Sequence, residues 1–111
     1  MNRELIFFES YFIEFYVDLN PRIQAKIDKV LYIISNSPQI PEKFFKYLTG
    51  TDALYEIRIE YAGNIYRIFS FFDKGNLIIL LNGIQKKSQK TPPKEIKKAL
   101  KLKQKYFENK G

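Results

Sequence analysis

The sequence predicts an α+β fold: a small antiparallel β-sheet with helices packed on it, in the order β-α-α-β-β-β-α. Three observations predict it. Residues 54–83 read as three apolar strands joined by two turn signals. Residues 20–38 and 92–108 repeat apolar side chains at helical spacing. A short β-prone run, "ELIFF" (4–8), precedes them. The 111 residues suit one domain spanning 1–111.

Each element has a local reason. After the first strand, "SYFIEFYVDL" (10–19) reads as a short helix with Ser10 as N-cap, because Glu14 and Asp18 sit four apart on one face. The next helix is marked more strongly. Asn20 is a good N-cap, Pro21 fits the first turn and Pro38 closes the segment. Ile23, Ile27, Val30, Leu31 and Ile34 form its apolar stripe, with Arg22, Lys26 and Lys29 turned toward water. Residues 36–53, with Pro38, Pro41 and Gly50, read as a connector of little regular structure.

The meander follows. "LYEIRIEY" (54–61) alternates a polar face (Glu56, Arg58, Glu60) with an apolar one (Tyr55, Ile57, Ile59, Tyr61). "AGN" (62–64) turns the chain into "IYRIFSFF" (65–72), and "DKGN" (73–76) turns it into "LIILLNG" (77–83). A polar turn, "QKKSQKT" (85–91), leads to a proline-opened helix carrying Ile96, Ala99, Leu100 and Phe107 on one stripe.

Composition narrows the chemistry. The chain has no cysteine, which excludes disulfide scaffolds and thiolate metal sites and fits a reducing cytoplasm. It has no histidine, which removes imidazole bases and the common zinc sites. The longest apolar run, "LIILL" (77–81), is far short of the roughly 20 residues of a membrane helix. The expectation is a soluble cytoplasmic protein that needs no membrane. Charge is unevenly spread. Residues 1–83 carry a net −1 and residues 84–111 a net +8, with ten lysines against Glu95 and Glu108. Such a concentration suits a polyanion, and equally suits a solvated helix face.

Arg58 and Arg67 lie in adjacent strands and call for anionic partners. Either they pair with Glu56 or Glu60 in a structural ion pair, or they aim a guanidinium cluster at phosphate. Lys86, Lys87 and Lys90 leave the last strand of a rigid scaffold, the usual place for functional loops. Tyr66, beside Arg67, is the one aromatic residue singled out for stacking on RNA bases. The single glycines at turns make no phosphate-binding loop.

Two stretches, "KYLTGTDALYEIRIEYAGNIYRIFSFF" (46–72) and "LLNGIQKKSQKTPPKEIKKALKLKQKYF" (80–107), resemble the HigB-type, phage-derived branch of the RelE/ParE toxin superfamily. The likeness rests on the combined spacing of "LYEIR", "YRIF" and "KKSQKTP". It implies the toxin of a type II toxin–antitoxin pair, a ribosome-dependent mRNA endoribonuclease that needs no metal or cofactor. In that reaction a ribose 2′-hydroxyl attacks the adjacent phosphate. The implied partners are the ribosome, mRNA and a HigA-like helix-turn-helix antitoxin. The implied catalytic residues are Arg58, Arg67, Lys86 and Lys87, with Tyr66, Lys90, Lys94 and Lys97 on RNA. Asn82 stands where many relatives have histidine and Ile84 where phenylalanine is usual, so the base and acid stay unassigned. A ParE-like gyrase inhibitor and a non-catalytic antitoxin- or RNA-binding protein are the alternatives.

Overall fold

Residues 2–88 and 90–110 are described by a computed structural model. Gln89, inside the predicted 85–91 turn, lies outside the described residues. The chain runs β1 (Glu4–Phe7), α1 (Tyr11–Val17), α2 (Pro21–Asn36), a 3-10 turn (Glu42–Phe44), β2 (Phe45–Tyr47), β3 (Tyr55–Tyr61), β4 (Asn64–Phe72), β5 (Leu77–Lys86) and α3 (Pro93–Lys110). Among the described residues the strands form one sheet in the order β1-β5-β4-β3-β2.

The α+β class is as expected, and the sheet differs in three ways. It is mixed, because β1 pairs parallel to β5 with Glu4 opposite Leu77 and Phe7 opposite Leu80. Everything from α1 to β4 lies between these two strands, ample chain for the long connection a parallel pairing requires. The connector also holds a strand: Phe45–Tyr47 pairs antiparallel with Tyr55–Ile57, and Phe45 stacks on Tyr55 at 4.6 Å between ring centres. Finally, β5 continues past Gly83 to Lys86, paired with β4 as far as Ile65. Lys86 is therefore a strand residue and not part of a turn.

Helices cover both faces, which is why β4 and β5 are apolar almost throughout. On one face, Phe12 of α1 and Ile23, Ile27, Val30 and Ile34 of α2 pack on Ile57, Ile59, Tyr66, Ile68, Ile78 and Leu80. Ile27, Val30 and Ile34 are fully buried, and each contributes about 1.5–3 kcal/mol by leaving water. On the other face, Ala99 and Leu102 of α3 pack on Phe8, Leu54, Phe69, Phe71, Ile79 and Leu81. Leu102 and Tyr106 complete a stripe in which Phe107 was expected, whereas Phe107 is 42% exposed, with its ring against those of Phe71 and Tyr106.

Caps and close approaches fix the helices. Asn20 accepts from the backbone N–H groups of Arg22 and Ile23 at 3.0 and 3.1 Å, as its N-cap role predicts. Ser10 makes no such cap; its hydroxyl donates to the Glu14 carboxylate instead. Gly83 admits α1 to the sheet, since a Cβ there would lie 2.3 Å from Cδ2 of Phe15. The β4–β5 register shifts between Ile68 and Ser70, so three β5 steps oppose two in β4. That bulge carries Ile84 to the α3 face, and Lys86 with it.

Candidate functional site

The polar face of β3 points to the side of the sheet that α3 covers. Glu56, Arg58 and Glu60 share the face of Leu54, which packs in the α3 core. The register sets Arg58 directly opposite Arg67 and Lys46 opposite Glu56. Lys86 opposes Ile65, two positions along β4 from Arg67. One face thus gathers Lys46, Arg58, Arg67 and Lys86 around Glu56 and Glu60. Two arginines directly opposite repel one another, a costly choice for a structural sheet.

Arg67 lies beneath the surface, 0% exposed. Its Nη1 donates to the Tyr66 carbonyl at 3.0 Å, and its Nε stands 3.5 Å from Oε1 of Glu56. Among the described residues its Nε and Nη2 make no hydrogen bond. Glu56 is 3% exposed and accepts from the hydroxyl of Thr91, whose Oγ1 accepts from Nζ of Lys86 at 3.1 Å. Lys86 is 6% exposed. A chain of contacts therefore runs Arg67–Glu56–Thr91–Lys86. It ties the segment before α3 to the middle of the sheet.

The electrostatics follow from burial and crowding. Burial pulls the Lys86 ammonium below the usual lysine range, the positive charge of Arg67 pulls it further, and Glu56 offsets part of this. Burial also lowers the Arg67 guanidinium, with Arg58 adding to the effect and Glu56 and Glu60 opposing it. Burial, not crowding by cations, is the larger cause at Lys86.

The predicted residues separate into three groups. Arg58, Arg67 and Lys86 come together, with Arg58 half-buried. Of the two options for the arginines, the structural ion pair is seen at Arg67 with Glu56, while the Arg58 Nε is buried with no hydrogen bond among the described residues. As a residue touching the scissile phosphate, Arg67 is a correction, because its side chain has no accessible surface. Tyr66 is a second correction. It is 2% exposed and packs on the α1–α2 face, 6.5 Å from the Phe15 ring, so its ring offers no face for a base. The even residues of β4 all point to that side, which a period of two predicts once Arg67 is placed.

Lys87, Lys90, Lys94 and Lys97 are exposed. Lys94 and Lys97 line a shallow groove of about 450 Å³ with Pro93, Lys98 and Lys101 on the outer side of α3. Thr91 was not singled out by sequence reasoning, although it sits inside "KKSQKTP". Lys46 was also missed, because its strand was read as connector.

The description "Phage derived protein Gp49-like (DUF891)" belongs to a family profile that matches residues 14–104. This chain belongs to the Gp49-like family of phage-derived proteins. The match spans both arginine strands, Lys86 and most of α3. The fold is also that of a solved structure described as the crystal structure of an archaeal RelE–RelB complex from Pyrococcus horikoshii OT3. The TM-score is 0.55 at 19% identity, over 75% of this chain and 93% of that one. No curated protein sequence matches the chain. Among the described residues of this Gp49-like protein, no helix is long and apolar enough to cross a membrane.

Proposed function

We propose that this Gp49-like protein is the toxin of a type II toxin–antitoxin pair, of the HigB-type branch, and cleaves mRNA on the ribosome. The observation that carries the reading is the convergence of Arg58, Arg67 and Lys86 on one sheet face, with Lys86 depressed in pKa by burial and by Arg67. The RelE-like fold supports it, and the RelE–RelB composition of the similar structure supports an antitoxin partner. A HigA-like helix-turn-helix protein is the proposed antitoxin, and the cytoplasm the proposed location.

In this reading the ribose 2′-oxygen attacks the adjacent phosphorus and the P–O5′ bond breaks, leaving a cyclic phosphate and a 5′-hydroxyl. One proton leaves the 2′-hydroxyl and one arrives at O5′. Lys86 is the proposed proton acceptor, because a lysine poised below its ordinary range is neutral more often at physiological pH. Arg58 and Lys87 stabilise the charge building on the phosphoryl oxygens. Arg67 touches no substrate. It is a positioning residue, a fixed cation under the surface that holds Glu56 and keeps Lys86 depressed. Lys90, Lys94 and Lys97 supply phosphate contacts along the strand.

The test is a cell-free translation reaction with one defined mRNA and purified wild-type, Lys86→Met and Arg58→Ala proteins. The wild type is expected to stop translation, and each variant to lose most of that effect while keeping its fold. Undisturbed translation with wild-type protein would remove the proposal. A supercoiling assay with gyrase would then be the next measurement.

A further inference from the structure

At the β3 edge, beyond the start of β2, a polar cleft of about 320 Å³ is lined by Lys26 of α2, Lys43 and Phe44 of the 3-10 turn, and Arg58 and Glu60 of β3. This lies at the lower end of the size of a small-molecule site. Three cations face one carboxylate. Nζ of Lys43 and of Lys26 sit 4.9 and 6.0 Å from the centre of the Phe44 ring, so both ammonium groups are drawn to one spot. None of the three cations has a carboxylate within salt-bridge distance among the described residues. The buried Nε of Arg58 makes no hydrogen bond among the described residues. An oxyanion in the cleft would neutralise these cations.

We propose that this cleft is a phosphate subsite for a nucleotide of the bound RNA next to the one being cut. Arg58 lines the cleft and stands opposite Arg67 in the register, so the cleft and the cationic cluster share that residue. The inference rests on the reading of the protein as an RNA-acting one, and it assigns Lys26 and Lys43 a role that neither sequence reasoning nor the cluster on the α3 face supplied. It also gives the strand a direction: from the cluster over the β3 edge toward α2.

The experiment measures binding of a short fluorescent 2′-O-methyl RNA by anisotropy across a salt series; the capped 2′-oxygen prevents cleavage. Wild type, Lys26→Gln/Lys43→Gln and a control, Lys29→Gln on the exposed side of α2, are compared. The double variant should bind roughly tenfold more weakly, with a log–log salt slope shallower by about 1.4, or 0.7 for each lost contact to a single strand. Lys29→Gln should leave the slope unchanged. If the double variant melts early, Lys43→Gln alone, at an exposed position, must still lower the slope by about half as much. Equal affinity and slope for wild type and double variant would overturn the subsite, as would a wild type with no affinity for the probe. Lysine-dependent binding by a wild type that never cuts ribosome-bound mRNA would retain the subsite and remove the nuclease reading.

Discussion

Replacing Glu56 by glutamine isolates the one buried carboxylate that faces Arg67 and, through Thr91, Lys86. The side chains of Arg67 and Glu56 are 0% and 5% exposed and stand 3.5 Å apart without a hydrogen bond between them. Charges at that distance attract by about 5 kcal/mol in a medium of effective dielectric 20. Removing the carboxylate also removes its own desolvation cost, so the net loss is smaller. Breaking a buried pair from one side typically costs about 3–5 kcal/mol, and the absent hydrogen bond places this pair at the low end, about 3 kcal/mol. For 111 residues that is a fall of roughly 13 °C in Tm. Arg67→Met breaks the same pair from the other side and leaves the Glu56 carboxylate buried without its cation, so it should also cost about 3 kcal/mol, while adding it to Glu56→Gln should recover at least about 1 kcal/mol. Urea denaturation of the two single variants and the double variant measures all three. A Glu56→Gln protein as stable as the parent, or a double variant no better than the single, would show that Glu56 does not neutralise the buried cations.

Gly83→Ala should destabilise by about 1–3 kcal/mol through overpacking, because the new methyl would sit 2.3 Å from the Phe15 ring. Phe15→Leu in the same chain should restore part of the loss, and an unchanged urea midpoint for Gly83→Ala alone would contradict the packing. Tyr106 gives a pH signature. Burial first, then its hydrogen bond to Asp73, push its phenol up to about 12 from 10.0. The folded state therefore holds the proton more tightly, so this stability is present below pH 10 and is lost as pH rises toward about 12. The stability difference between wild type and Tyr106→Phe should shrink across that window; a constant difference would argue against the shift.

The sequence carried most of the elements because each was signalled by its own residues. Asn20-Pro21 opened α2, alternation in 54–61 defined β3, and the "AGN" and "DKGN" turns set the meander. What escaped depended on tertiary contacts. The Phe45–Tyr47 strand is three residues long and is held by stacking on Tyr55, which no local pattern encodes. The extension of β5 to Lys86 follows from a register shift opposite Ile68 and Ser70. That shift decides that Lys86 faces α3 and becomes buried, so a lysine in a polar run was read as a turn residue. Arg67 was legible as an unusual strand arginine, but its depth was not. Alternation within β4 implies that Arg67 and Tyr66 take opposite faces, which the reading of both as one RNA-facing site overlooked, and helices on both sides of the sheet bury both. The cleft of Lys26, Lys43 and Arg58 joins residues from three separate elements and leaves no motif in the sequence.

The central claim is that the Arg58–Lys86 face cuts RNA at a ribose next to a phosphate. Primer extension on one mRNA, with and without ribosomes, followed by kinase labelling of the fragments, tests it most directly. Ribosome-dependent cuts whose downstream fragments accept a 5′-phosphate without prior phosphatase treatment, and which Lys86→Met and Arg58→Ala abolish, are the predicted result. Intact mRNA with wild-type protein, or cuts that persist in both variants, would contradict the account.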